Sequence, residues 1–149
     1  MAGKRKICVV FGEYTERVAA YLANCGYEVV GKERTLDAAA IMAPNLDEVP
    51  DDYLVLGSAL VSGVVDVGIN YGAALVENLK KLRLAAPQSR IVLVLPASAA
   101  ADVVQNVLYL GIYDIHKVDT LSVSEIPSMI ETRKTIADFG LTTVPMPAK

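Results

Sequence analysis

Runs of Val, Ile and Leu alternate along this chain with stretches in which apolar residues recur three or four apart. That is the pattern of an α/β domain, strands interleaved with helices around a parallel sheet. Five strands are predicted, from Ile7 to Phe11, Glu28 to Val30, Tyr53 to Leu56, Arg90 to Leu95 and Tyr113 to Val118. The third and fourth are almost continuously apolar, as expected of strands covered on both faces.

Helical spacing fills the intervals. The first helix is predicted from about Tyr14 to Asn24, with Val18, Leu22 and Cys25 on its inner side and Gly26 as its stop. A short alanine-rich helix from Leu36 to Met42 is ended by Pro44. The third, from about Asn70 to Ala85, turns Leu75, Leu79 and Leu82 inward and Glu77, Lys80 and Lys81 outward. A fourth covers about Ala100 to Leu110 and carries Val103, Val104, Val107 and Leu108. The fifth starts near Ser124, carries Ile126, Ile130 and Ile136, and accepts Pro127 only in its first turn. Residues 1–139 are read as one domain. The segment 140–149, with two prolines and no period, is read as a flexible tail or linker.

Composition narrows the classes. A chain of 149 residues that is 53% apolar and 21% charged buries a core without disulfides or metal. The net charge of −3 argues against nucleic acid as the main ligand, because such binders gather Lys and Arg on one face. No apolar run approaches the roughly 20 residues that cross a bilayer, and the start lacks the apolar core of a secretory signal, so no membrane partner is expected and the cytoplasm is the expected location. Cys8 and Cys25 show no metal or redox spacing and are read as reduced structural thiols.

Few residues point to chemistry on their own. Gly68-Ile69-Asn70-Tyr71-Gly72 precedes the third helix, where backbone N–H groups can cradle an anion, but it lacks a complete dinucleotide fingerprint and follows the third strand rather than the first. His116 is the only histidine and has no local ligand to share a metal, so it is read as structural. Ser58 has no base at a spacing that would activate it, and Asp66 is read as a solvated loop carboxylate. The connection Ala59 to Asp66, with Leu60, Val61, Val64 and Val65, is unusually apolar for a surface loop. Either it packs over the neighbouring strand ends or it meets a partner; both readings stay open.

The stretch Lys6 to Ala40 resembles the receiver domain of response regulators in its order: strand, acidic loop, helix, Gly26-Tyr27-Glu28-Val29-Val30, short helix. Gly111-Ile112-Tyr113-Asp114-Ile115-His116-Lys117 is similar to the Gly-Ala-x-x-x-x-x-Lys run that opens the last receiver strand. The resemblance extends through about Ile136. It implies a flavodoxin/CheY-like doubly wound sheet of five parallel strands in the order 2-1-3-4-5.

In receivers a Mg²⁺ ion is held by two acidic residues after the first strand and by the phosphoryl-accepting aspartate that ends the third. Here the first pair falls on Phe11 and Gly12, with Glu13 nearby, and the acceptor position falls on Gly57 or Ser58. Pro96 replaces the Ser or Thr that ends the fourth strand, and Lys117 stands one position early. A hard cation needs several oxygen ligands, so the resemblance implies a degenerate pseudo-receiver without metal, cofactor or catalytic residue. Phe11, Gly12, Ser58, Pro96 and Lys117 are expected around one shallow apolar site at the strand ends.

Such pseudo-receivers stand at the N-terminus of ParA/MinD-like ATPases of the CpaE/TadZ type, which localise pilus-assembly machinery, and the run Arg90 through Leu121 is similar to those regions. No Gly-x-x-x-x-Gly-Lys-Ser/Thr motif occurs in the chain. The function implied is a phosphorylation-independent interaction module that dimerises or docks, with an attached or partner ATPase. Its expected contact is the face of the fourth helix, fifth strand and fifth helix, with Tyr109, Ile112 and Tyr113 as candidate anchors. Two alternatives stay open: a working receiver that uses Glu13 and Asp66 as substitute ligands, and a small-ligand-binding α/β enzyme with its pocket near Gly68 to Gly72.

Overall fold

The structure is a computed structural model, and it describes residues 5–57, 71–96, 101–118 and 121–132. Ser58, the connection Ala59 to Asp66, Gly68 to Asn70, Ile136 and the segment 140–149 lie outside the described residues. Five parallel strands, β1 (Lys6–Val10), β2 (Glu28–Glu33), β3 (Asp52–Leu56), β4 (Arg90–Pro96) and β5 (Asp114–Val118), form one sheet in the order 2-1-3-4-5. Helices α1 (Thr15–Asn24) and α5 (Ile126–Glu131) cover one face. Helices α2 (Leu36–Met42), α3 (Tyr71–Ala85) and α4 (Ala101–Leu108) cover the other.

The period-2 geometry of strands sorts the apolar side chains into two cores. Ile7, Val9, Leu54, Val92 and Val94 face α1 and α5, where they meet Val18, Leu22, Ile126 and Ile130. Cys8, Val10, Tyr53, Val55, Ile91, Leu93 and Ile115 face the other way and meet Leu36, Leu75, Leu79, Leu82 and Val107. Each such aliphatic side chain contributes about 1.5–3 kcal/mol through burial, which is why β3 and β4 read as unbroken apolar runs. None of the described helices is long and apolar enough to cross a membrane.

Several boundaries differ from the sequence expectation. Strand β2 does not stop at Val30 but continues to Glu33. Gly31 keeps it against β1, since a Cβ there would lie 2.9 Å from the Cys8 sulfur. Helix α1 starts at Thr15, after a 3-10 turn over Gly12–Tyr14, and ends before Cys25, so that thiol is exposed rather than on the inner side. Cys8 is buried, and desolvation, with the Glu33 charge behind it, pushes its thiol up to about 12. Helix α5 follows a 3-10 turn over Val123–Glu125, and Pro127 lies in its first turn. Ser122 and Glu125 form a reciprocal capping box there, with the Ser122 N–H donating to Glu125 Oε1 at 2.9 Å.

The amino-terminal edge of the sheet is ionic. Asp52, fully buried at the start of β3, accepts from Arg5 Nε and from Arg90 Nη1 at 3.2 Å. Arg90 opens β4 and also grips Asp114 at the start of β5 in a two-point contact, Nε to Oδ2 at 2.8 Å and Nη2 to Oδ1 at 3.1 Å. Its Nη1 donates to the Ile130 carbonyl at 2.8 Å, which ties the end of α5 to the sheet. Desolvation works against the Arg90 charge, but the Asp114 and Asp52 carboxylates more than offset it and raise its pKa. Tyr27 adds a second tie by donating to Glu131 Oε2 at 2.6 Å, and burial together with that bond raises the phenol's pKa.

Removing one member of a buried charge set strands the others. Asp52→Asn is therefore expected to lower stability by about 3 kcal/mol, read as a lower urea midpoint at unchanged slope. A change under about 0.5 kcal/mol, the range of ordinary surface substitutions, would contradict this account of the edge.

Candidate functional site

In an open parallel sheet the carboxyl ends of the strands are where side chains and loops converge. The loop that leaves β1 is held tightly. Gly12 has φ of 62°, a backbone region that glycine enters without strain, and its N–H donates to the Arg34 carbonyl at 3.0 Å. The Thr15 hydroxyl accepts from the Phe11 N–H at 3.0 Å and turns its proton toward the carbonyls of Gly12, at 2.7 Å, and Glu33, at 3.1 Å. The path from β1 into α1 is thus fixed to the end of β2.

That path drives the Phe11 ring inward, where it is 3% exposed among Val9, Val18 and Leu54. A cleft of about 440 Å³ opens beside it, lined by Phe11, Val18, Leu56, Leu121, Val123 and Ile126, with the exposed Tyr14 and Arg17 at its margin. Most of these side chains are aliphatic or aromatic. Among the described residues that line it none carries a carboxylate, so these residues offer apolar surface and no anionic oxygen to a hard cation. Glu13 lies next to it in the chain and is exposed.

The expected site residues are only partly brought together. Phe11 lines the cleft and Gly12 shapes its loop. Pro96 ends β4 in register with Val118, and Ser58 lies outside the described residues. Lys117 is not among the lining residues. It pairs with Leu95 on β5, and the strand's alternation puts it on the same side as Ile115, which belongs to the α2–α4 core, whereas Phe11 belongs to the α1–α5 core. Lys117 is exposed there. Among the described residues no group of His, Cys, Asp and Glu is placed to hold a metal ion.

The three candidate anchors separate as well. Tyr109 stands 73% exposed just past α4, its hydroxyl accepting from Gln105 Nε2 at 2.8 Å. Tyr113, which precedes β5, is 37% exposed. Ile112 is a correction: it is buried with Val107, Leu108 and Ile115 and serves the core, because the turn after Leu108 folds back onto the sheet. Thr15 and the Asp52–Arg90–Asp114 set escaped the sequence reading. The signal available for the latter was a charged residue at the start of each of three strands.

No protein-family model matches the chain, and no curated protein matches it. Solved structures do. The signal receiver domain of a modulated diguanylate cyclase from Desulfovibrio desulfuricans G20 is similar with a TM-score of 0.62 and 18% identity, over 93% of this chain and 98% of that one. The non-phosphorylated receiver domain of the stress response regulator RcsB from Escherichia coli gives 0.58 and 17%, over 99% of both chains. A response regulator from Thermotoga maritima gives 0.56 and 13%, over 87% of this chain and 99% of that one. The fold is that of receiver domains, and at these identities the likeness is one of fold.

Phe11→Asp tests how far the strand end is committed to apolar packing. Loss of a buried aromatic costs about 3–5 kcal/mol, and a carboxylate in its place is desolvated. The variant is expected to unfold at markedly lower urea, with no gain on adding Mg²⁺. Wild-type stability, or stabilisation by Mg²⁺, would show that the position is open to a metal.

Proposed function

We propose that this chain is a pseudo-receiver, a receiver-fold interaction module that works without phosphorylation and without catalysis. The observation that carries the reading is Phe11. It stands at the position the receiver resemblance assigns to a metal-binding carboxylate, and its ring is packed into the α1–α5 core. A Mg²⁺ site there would need that packing to be undone and several oxygen ligands to be supplied.

The contact surface in this reading is the side formed by α4 and β5, where Tyr109 and Tyr113 present aromatic area to solvent. Tyrosine suits the centre of an interface because it joins a large apolar ring to one polar atom at little conformational cost. Through this side the module dimerises or docks, and it serves an attached or partner ATPase of the ParA/MinD-like kind that the resemblance of Arg90 through Leu121 implies. The low net charge per residue and the absence of a basic run through α4 are consistent with a protein partner rather than nucleic acid.

Sedimentation velocity of the whole chain, with and without Mg²⁺ and acetyl phosphate, tests the reading. Association is expected to rise with protein concentration and to ignore both additions. Tyr109→Glu is expected to weaken it on the order of tenfold, the usual cost of losing an aromatic anchor. Assembly that requires Mg²⁺ and acetyl phosphate, or a phosphoryl adduct in the intact mass, would overturn it.

A further inference from the structure

Of the seven large apolar side chains exposed among the described residues, four lie at one end of the α2–α3 layer, away from the tyrosines of α4 and β5. Ile41 (68% exposed) and Met42 close α2, Leu84 (71%) is in the last turn of α3, and Val49 (67%) lies in the link that leads to β3. Crossover helices run antiparallel to their strands, so both helix ends and this link reach the amino-terminal edge of the sheet. The three pieces are joined: α2 packs on α3, α3 touches the 3-10 turn Ala43–Asn45 that follows α2, and Ser89 Oγ, just after α3, donates to the Pro50 carbonyl at 2.7 Å. The exposed side chains therefore lie on neighbouring elements at the same end of the layer.

Charge of both signs borders it. Asp47 and Glu48 are exposed immediately before Val49, and Lys80 and Lys81 are exposed one helical turn before Leu84. Glu48 is held by Lys6 at 2.7 Å, whereas Asp47, Lys80 and Lys81 make no ion pair among the described residues. Along α3 toward the sheet edge the order is basic, apolar, then the acidic link. A surface with an apolar centre, one acidic border and one basic border is complementary to itself across a twofold axis, where each acid meets the other copy's lysines. A partner of single charge would be repelled by one of the two borders.

We infer that this end is a self-contact, occupied by a second copy of the same chain in a twofold arrangement. It is independent of the α4–β5 side: if both sides pair copies, two different twofold contacts on one chain extend it into rows rather than closed dimers.

The test is made on the whole chain in a Tyr109→Glu, Tyr113→Glu background, which places a charge at both exposed anchors of the other contact. Dimers are expected to persist there, and adding Leu84→Glu is expected to weaken them on the order of tenfold; circular dichroism checks that the variants fold. Asp47→Lys and the double variant Lys80→Glu, Lys81→Glu should each dimerise poorly alone, yet pair with each other on mixing, since both charge contacts are then restored. A Tyr109→Glu, Tyr113→Glu chain that is monomeric at roughly 1 mM would overturn this inference while leaving the proposed function in place. So would dimers that ignore Leu84→Glu, or charge variants that fail to pair when mixed.

Discussion

The Arg90 guanidinium touches the carboxylates of Asp52 and Asp114 and a carbonyl in the last turn of α5, so one side chain joins the starts of three strands to the end of the closing helix. The apolar core cannot do this alone. Burial is non-directional, and a slip of two residues along a strand would keep every side chain on its own face at modest apolar cost. A slip of one would reverse the faces altogether. Charge pairing separates these alternatives, because a slip between β3 and β4 pulls Asp52 away from Arg90 and leaves its buried carboxylate to Arg5 alone. The register seen, Asp52 beside Arg90 and Val92 beside Asp114, is the one that satisfies all of them.

This placement of charge has a consequence for function. The ionic groups that organise the sheet sit at its amino-terminal edge, while the carboxyl ends are held by apolar packing around Phe11 and by the hydrogen bonds of Thr15. A receiver that transfers a phosphoryl group keeps carboxylates at the carboxyl ends and tolerates their mutual repulsion for the sake of Mg²⁺. In this chain the β1 end carries a ring instead, and the loop beyond it is pinned to the end of β2. The proposed reading, a receiver scaffold that works through its outer surfaces, rests on this exchange of a carboxylate for a packed ring.

Much of this was legible in the chain. The unbroken apolar runs of β3 and β4 and the spacing of Leu75, Leu79 and Leu82 gave the alternating architecture, because periodicity reports burial directly. The strand order came from the receiver resemblance, and the structure has that order. What failed were positions decided by tertiary contact. Gly31 reads locally as a strand terminator, yet it is the residue that lets β2 lie against Cys8. Cys25 directly follows α1 and Ile112 lies four residues past α4, where periodicity no longer fixes direction; one turned out to solvent and the other in. Of the site, the sequence places Phe11 and Gly12 where the receiver resemblance expects two acidic residues. That Phe11 and Lys117 belong to opposite faces was not legible there, since it depends on where β1 ends and how β5 is registered.

In the proposed reading the strand ends do not bind a phosphoryl group with Mg²⁺. Amide NMR spectra of the labelled chain during titration with Mg²⁺ and beryllofluoride, a phosphoryl mimic, address it most directly. Spectra unchanged at Phe11, Gly12, Glu13 and Lys117 are expected. Saturable shifts clustered at those residues would contradict it and restore the reading of a working receiver.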